Sequence, residues 1–398
     1  MIEVMQLKAP KIVDGVYWVG ARDISRRMFD SLIPLPHGTS YNAYLVVGDR
    51  EVALIDTVNP GFEEILTSRV SSVTNPTKVS YVIMNHAEPD HAGAIPAMLS
   101  ISSNAKLVTT AIGAKMARVF YNVPESRIYV VKEDASLDLG GRTLKFIEAP
   151  MLHWPETMFT YLAESKILFP CDFFGSHVAQ GMWDDDVEDL LTHAQRYFGE
   201  IMLPFRSNAL NALRKISNLD IKIIAPSHGP IYRNPEKIID NYWKWARGET
   251  RKKILIAYVS MWHYTEKVVR ILADELLSED VNIALHDVAT TDLGDLAKDL
   301  VDSRAIVIAS PTVILNAHPL IMQATYLVKL LKAPVKYAAI IVVYAWGSSA
   351  DKQITEVLKE TGVELTGIVK INVTPVEKDV ENLRTLAKEL AKKVREDG

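Results

Sequence analysis

The stretch Tyr81-Val82-Ile83-Met84-Asn85-His86-Ala87-Glu88-Pro89-Asp90-His91-Ala92-Gly93 decides how this chain is read. Its first four residues are an apolar run of strand length, and four potential metal ligands follow within six positions. A strand that runs into a loop dense in His, Glu and Asp puts chemistry where catalytic groups gather, on loops held by a rigid sheet. The same context recurs further along. His153 lies in Leu152-His153-Trp154-Pro155, Asp172 follows the apolar run Lys166 to Phe169, and His228 follows Ile221 to Ala225. A lone histidine behind a strand is more often a hydrogen-bonded core residue than a ligand. A set comprising His86, Glu88, Asp90, His91, His153, Asp172 and His228, each at a strand end or in a loop, favours a metal site.

Around these loops the first part of the chain reads as short apolar strands: Tyr44 to Val47, Val52 to Ile55, Tyr81 to Met84, Lys106 to Thr109, Ile128 to Val131, Thr143 to Ile147, Lys166 to Phe169 and Ile221 to Ala225. Interleaved with short helical stretches, they predict two packed sheets with helices outside. The polar run Gly248-Glu249-Thr250-Arg251-Lys252-Lys253 has no apolar periodicity and marks a linker, which divides the chain into residues 1–248 and 252–398. Beyond it, strands Ile254 to Tyr258, Val281 to Leu285, Ala305 to Ala309, Ala338 to Tyr344 and Ile368 to Val373 alternate with helices at about Thr265, Leu320 to Leu331 and Lys352 to Glu360, and an amphipathic helix closes the chain. That alternation predicts a doubly wound parallel sheet.

Composition narrows the function classes. At 398 residues, 48% hydrophobic and 23% charged, the chain has room for two ordered cores. A net charge of −5 without a long basic run leaves no electrostatic footprint for nucleic acid. No stretch approaches the roughly 18 uninterrupted apolar residues of a membrane span, and Met1 to Gly15 has no apolar leader, so the expectation is a soluble cytoplasmic protein with no membrane partner. Cys171 is the one cysteine, so any metal must be held by histidine and carboxylate.

The spacing His-x-Glu-x-Asp-His, followed at intervals by His, Asp and His, resembles the binuclear motif of the metallo-β-lactamase superfamily in its flavodiiron version, and the resemblance spans essentially the whole chain. It implies an N-terminal αββα metallo-β-lactamase-like sandwich followed by a flavodoxin-like doubly wound sheet. By position it implies that one iron takes His86, Glu88 and His153, the other takes Asp90, His91 and His228, and Asp172 bridges them. Glu88 stands where zinc hydrolases of the superfamily carry a histidine, and a carboxylate oxygen suits iron better than zinc in a nitrogen-rich site. Glu88, Asp90, Asp172 and a bridging hydroxide together carry the four negative charges that neutralise two ferrous ions.

In the second half, Ser260-Met261-Trp262-His263-Tyr264-Thr265 opens a helix behind strand Ile254 to Tyr258, where backbone N–H groups and two hydroxyls favour a phosphate. This run resembles the flavodoxin phosphate loop, although His263 departs from the glycine common there. Two later loops also follow strand C-terminal ends: Ser310-Pro311-Thr312 with Asn316, and Tyr344-Ala345-Trp346-Gly347-Ser348. In the family these cradle the FMN ring, which Trp346 is placed to stack on.

The resemblance further implies reduction of dioxygen to water, nitric oxide to nitrous oxide, or both. It implies a head-to-tail homodimer or dimer of dimers, and an external electron donor, either a rubredoxin-like protein or reduced deazaflavin F420. For proton supply, Asp30 occupies the place of a family histidine and Tyr197 matches a family tyrosine; Asp56 and His177 are read as supporting residues rather than ligands. The competing reading is a zinc-dependent hydrolase of the same fold fused to a flavodoxin module, and Glu88 is the residue against it.

Overall fold

A computed structural model describes residues 7–396. By its contacts the chain forms two compact units. One comprises the chain up to Ala194 together with Ser207–Trp243, and the other comprises Gln195–Arg206 together with everything from Lys244 onward.

Two sheets build the first unit. Among the described residues, the larger runs in the order Lys11–Val13, Val16–Trp18, Tyr44–Val47, Val52–Ile55, Val79–Ile83, Lys106–Thr109, Ile128–Val130. Its pairings are antiparallel up to Val52–Ile55 and parallel beyond. The smaller runs Ser136–Asp138, Thr143–Glu148, Met158–Leu162, Ile167–Phe169, Ile223–Ile224, with the last pair parallel and the others antiparallel. Successive strand residues face opposite ways, and the core follows that alternation. Ala53, Ile55, Ile83 and Val108 join Phe146, Met158, Leu162 and Phe169 of the other sheet in one cluster. Leu54, Val82 and Leu107 turn outward onto Leu66, Val70, Met98 and Ala117 of flanking helices. The metallo-β-lactamase-like layering predicted from sequence is therefore present. Strand Met158–Leu162, buried at every position, was not among the predicted strands.

The second unit holds a parallel sheet in the order Asn282–Asp287, Arg251–Tyr258, Ser303–Val313, Tyr337–Tyr344, Glu364–Asn372. Numbered along the chain, this is the 2-1-3-4-5 order of flavodoxin-like folds, whose ligand crevice lies beyond the strand C-termini. Val268, Val269, Leu272 and Leu276 of helix Tyr264–Leu277 pack with Leu383, Leu386, Leu390 and Val394 of the last helix, Glu377–Glu396, on one face. The first strand begins at Arg251, inside the polar run, because Lys253 finds carboxylates at Asp299 (3.1 Å) and Asp302.

Candidate metal centre and cofactor cleft

Loops at strand ends bring the seven ligand candidates together. His86 and Glu88 leave strand Val79–Ile83, and Pro89 starts a single helical turn, Pro89–Ala92, that presents Asp90 and His91. His153 follows Thr143–Glu148, Asp172 follows Ile167–Phe169, and His228 follows Ile223–Ile224. The ligand atoms of His86, Glu88, His153 and Asp172 lie within 4.8 Å of one another, as do those of Asp90, His91 and His228. Asp172 joins the two groups: its Oδ1 is 3.0 Å from His91 Nε2 and 3.4 Å from His228 Nε2, while its Oδ2 is 3.5 Å from His86 Nε2 and 3.6 Å from His153 Nε2.

Both carboxylate oxygens of Asp90 and of Asp172, and both ring nitrogens of His91, are buried without a hydrogen-bond partner. Buried polar atoms are satisfied in the great majority of cases, so a cluster of orphans aimed at common points fits cations of the kind this donor set binds. Imidazole with carboxylate is a donor set for divalent iron or zinc. Burial alone would push these imidazoles down, but Asp90 and Asp172 raise His91, and Asp172 and Glu88 raise His153, each to about 9. Burial works against ionisation of Asp172 too, yet the surrounding imidazoles, His91 foremost, hold it well below the usual carboxylate range. Without metal, ring protons supply the positive charge that the carboxylates demand.

Outer contacts orient the rings. Glu156, fully buried, lies 2.7 Å from His86 Nδ1 and accepts the Ala87 N–H at 2.8 Å. The Ser40 carbonyl lies 2.6 Å from His228 Nδ1. Each contact leaves Nε2, the nitrogen facing the cluster, free of its proton when Nδ1 donates. Sequence reading passed over Glu156. The signal was a carboxylate three residues after His153, in His153-Trp154-Pro155-Glu156. Asp56 is occupied elsewhere, accepting the Asn85 backbone N–H (2.9 Å) and side-chain amide (3.0 Å). Burial lifts it to about 6. His177 sits 3.0 Å from Thr39 Oγ1, outside both groups.

The two proton-donor candidates differ in setting. Asp30 lies at φ +49° in the turn between Met28–Phe29 and Ile33–Pro34, and its carboxyl is raised first by desolvation and then by the charges of Glu88 and Asp90. Tyr197 ends helix Leu190–Tyr197, is buried, and precedes a π-helical turn, Phe198–Met202; it belongs to the second unit.

In that unit a cavity of about 310 Å³ opens beyond the strand C-termini, lined by residues that include Met261, Trp262, Thr265, Pro311, Thr312, Trp346 and Gly347. Tyr344 and Val373 also line it. The remaining cofactor candidates stand off its wall. Ser260 Oγ accepts the Glu266 N–H of the following helix, Ser348 Oγ accepts from Thr312 Oγ1, and Asn316 Oδ1 accepts from Gln353. His263 takes φ +63° at the start of the helix, the left-handed conformation that favours glycine, and lies 2.8 Å from Glu266. Apolar walls with exposed aromatic rings suit a planar heteroaromatic group such as flavin.

Comparison with known proteins agrees with this geometry. A family model described as "ODP family beta lactamase" matches residues 39–229. A nitric oxide reductase of Moorella thermoacetica is 38% identical over 89% of this chain and 90% of its own length. Rubredoxin oxygen:oxidoreductase of Desulfovibrio gigas superposes with a TM-score of 0.94 at 30% identity, covering 98% of this chain and 99% of its own. The flavodiiron protein of Giardia intestinalis superposes at 0.93 and 29% identity, covering 98% and 97%.

Proposed function

This chain belongs to the flavodiiron protein family, and from that premise we propose that it reduces dioxygen to water, nitric oxide to nitrous oxide, or both, using two non-haem irons and FMN. The observation that carries the reading is the convergence of buried carboxylate and imidazole atoms on either side of Asp172, with the oxygens of Asp90 and Asp172 and the ring nitrogens of His91 in no well-formed hydrogen bond. His86, Glu88 and His153 would hold one iron, Asp90, His91 and His228 the other, with Asp172 between them. When bound, two ferrous ions and one reduced FMN supply the four electrons that convert dioxygen to two waters, or the two that convert a pair of nitric oxide molecules to nitrous oxide and water.

The protein's own residues do the rest. Glu156 and the Ser40 carbonyl fix the tautomers of His86 and His228. The three carboxylates supply three of the four negative charges that two ferrous ions would require, and Asp30 and Tyr197 are the proposed proton donors. Met261, Trp262, Thr265, Pro311, Thr312, Trp346 and Gly347 would wall the flavin, with Ser260, His263, Asn316 and Ser348 shaping the loops behind them. The electron donor would be a rubredoxin-like protein or reduced F420, delivering to a cytoplasmic homodimer or dimer of dimers. Among the described residues no helix is long and apolar enough to cross a membrane. The reading is tested by reconstituting the protein with iron and FMN, reducing it anaerobically, and recording oxygen and nitric oxide electrode traces in parallel. Consumption of at least one gas is expected. Two tightly held zinc ions per chain with ester hydrolysis and no gas uptake would replace it with the hydrolase reading.

A further inference from the structure

Four non-glycine residues around the cleft hold a left-handed backbone: His263 at φ +63°, Ile314 at +47°, Leu315 at +65° and Val373 at +55°. For β-branched Ile314 and Val373 this conformation is a genuine outlier, because Cβ crowds the following carbonyl. Strain of this kind persists only where neighbours over-determine it, and it clusters at ligand clamps.

Each strained residue is held by its neighbours. Ile314 and Leu315 are the two central residues of a tight hairpin closed by the pairs Thr312↔Ala317 and Val313↔Asn316. A turn with both φ values positive is normally Asn-Gly. The Leu315 carbonyl accepts both the N–H (2.7 Å) and the hydroxyl (2.9 Å) of Ser349, and Thr312 Oγ1 donates to Ser348 Oγ at 2.8 Å, so the hairpin is tied to the Trp346 loop. The Leu315 side chain passes over Gly347, where an added Cβ would lie 3.4 Å from Leu315 Cδ2. Val373, which lines the cavity, donates its N–H to the Tyr344 carbonyl at 3.0 Å, and Asn372 bonds the Ala345 carbonyl at 3.1 Å. Packing does not account for Ile314, because it is 83% exposed.

We infer that the Ile314-Leu315 turn and Val373 are positioning residues, strained so that the cleft walls are set before the planar ligand enters. A site ordered in advance spends less of its contact energy on ordering. This rests on reading the cleft as a flavin site. The balance is between the stability of the ligand-free protein and its grip on the ligand.

The test uses the full chain stripped of flavin, with FMN as the probe. Ile314→Gly relieves the turn without removing a buried side chain, so the flavin-free protein should melt at a higher temperature. Its FMN dissociation constant should rise by about fivefold to tenfold, its bound-flavin visible circular dichroism should weaken, and its flavin midpoint potential should move. Ile314→Val, still β-branched, should restore all of these. Val373→Gly should weaken FMN binding at least as much, and Val373→Thr should not. The inference is overturned if Ile314→Gly leaves affinity, dichroism and potential unchanged, or if it lowers the melting temperature of the flavin-free protein. If the unaltered protein takes up no FMN, the flavin reading itself fails, a result distinct from uptake that is indifferent to Ile314.

Discussion

The candidate ligands of the first unit are all buried except His153, whose side chain is 18% exposed, whereas the cleft of the second unit is bordered by open rings, Trp346 at 84% and Trp262 at 76%. One region gathers charge away from water, carboxylate against imidazole; the other gathers apolar surface at the edge of water. Charge in a low-dielectric interior requires counter-charge, so the first region depends on side-chain identity, and little can be exchanged there. A cleft for a planar ring depends on shape, which backbone conformation supplies as much as any side chain. Substitutions should therefore act steeply in the first region and gently in the second.

The largest effect is expected from Asp172→Ala, since that carboxylate faces ring nitrogens of both groups. Metal analysis after iron loading should show both ions lost or weakly held, with gas reduction down by about a hundredfold or more, while flavin content stays as it was. Retention of two irons per chain would separate Asp172 from the metals and leave the first region no more dependent on side-chain identity than the second.

Next in size is the effect of pH on the first region. In the metal-free protein His91 and His153 are raised to about 9, above the ordinary 6.5. A group raised on folding stabilises fully below its unfolded value and loses that contribution as pH climbs through the folded one. The metal-free protein should therefore lose melting temperature between pH 6.5 and about 9, on the order of 3 °C or more. With metal bound the rings have already given up their protons, so the loaded protein should hold steady across that window and release protons as it loads. Parallel slopes for the two forms would mean that no metal occupies these groups.

How much was legible in the sequence follows the same division. His86, Glu88, Asp90, His91, His153, Asp172 and His228 stood out as candidates because metal-binding chemistry restricts residue type and each lies at a strand end or in a loop, and the fold brings them together in two groups. The doubly wound sheet was legible from its alternation, although helix Leu293–Leu300 was missed between two strands. Glu156 was missed because its role lies in a contact with His86, seventy positions away, that no local pattern announces. The first strands, from Lys11–Val13 to Thr39–Tyr41, escaped because they are two or three residues long and carry no period of their own. Of the left-handed residues beside the cleft only His263 left a trace in the sequence, because it stands where the flavodoxin phosphate loop commonly has glycine. Nothing about Ile314, Leu315 or Val373 signals a positive φ; residue preference argues against it, and only the surrounding hydrogen bonds impose it.

The smallest effect separates the two regions most cleanly. Trp346 is mostly exposed, so replacing it with leucine should change stability by no more than about 0.5 kcal/mol. If its ring lies against a flavin, the substitution removes an aromatic contact worth roughly 0.5–1.5 kcal/mol, which is about twofold to tenfold in the FMN dissociation constant. Iron content should not move, since the metal groups draw on none of the cleft residues. Fluorescence titration with FMN, beside iron analysis of the same sample, checks both halves. Affinity unchanged within twofold would mean that Trp346 faces something other than the flavin ring. A hundredfold loss would mean that the cleft leans on one side chain as heavily as the metal groups lean on Asp172, and the distinction between a site made by residue identity and a site made by shape would fail.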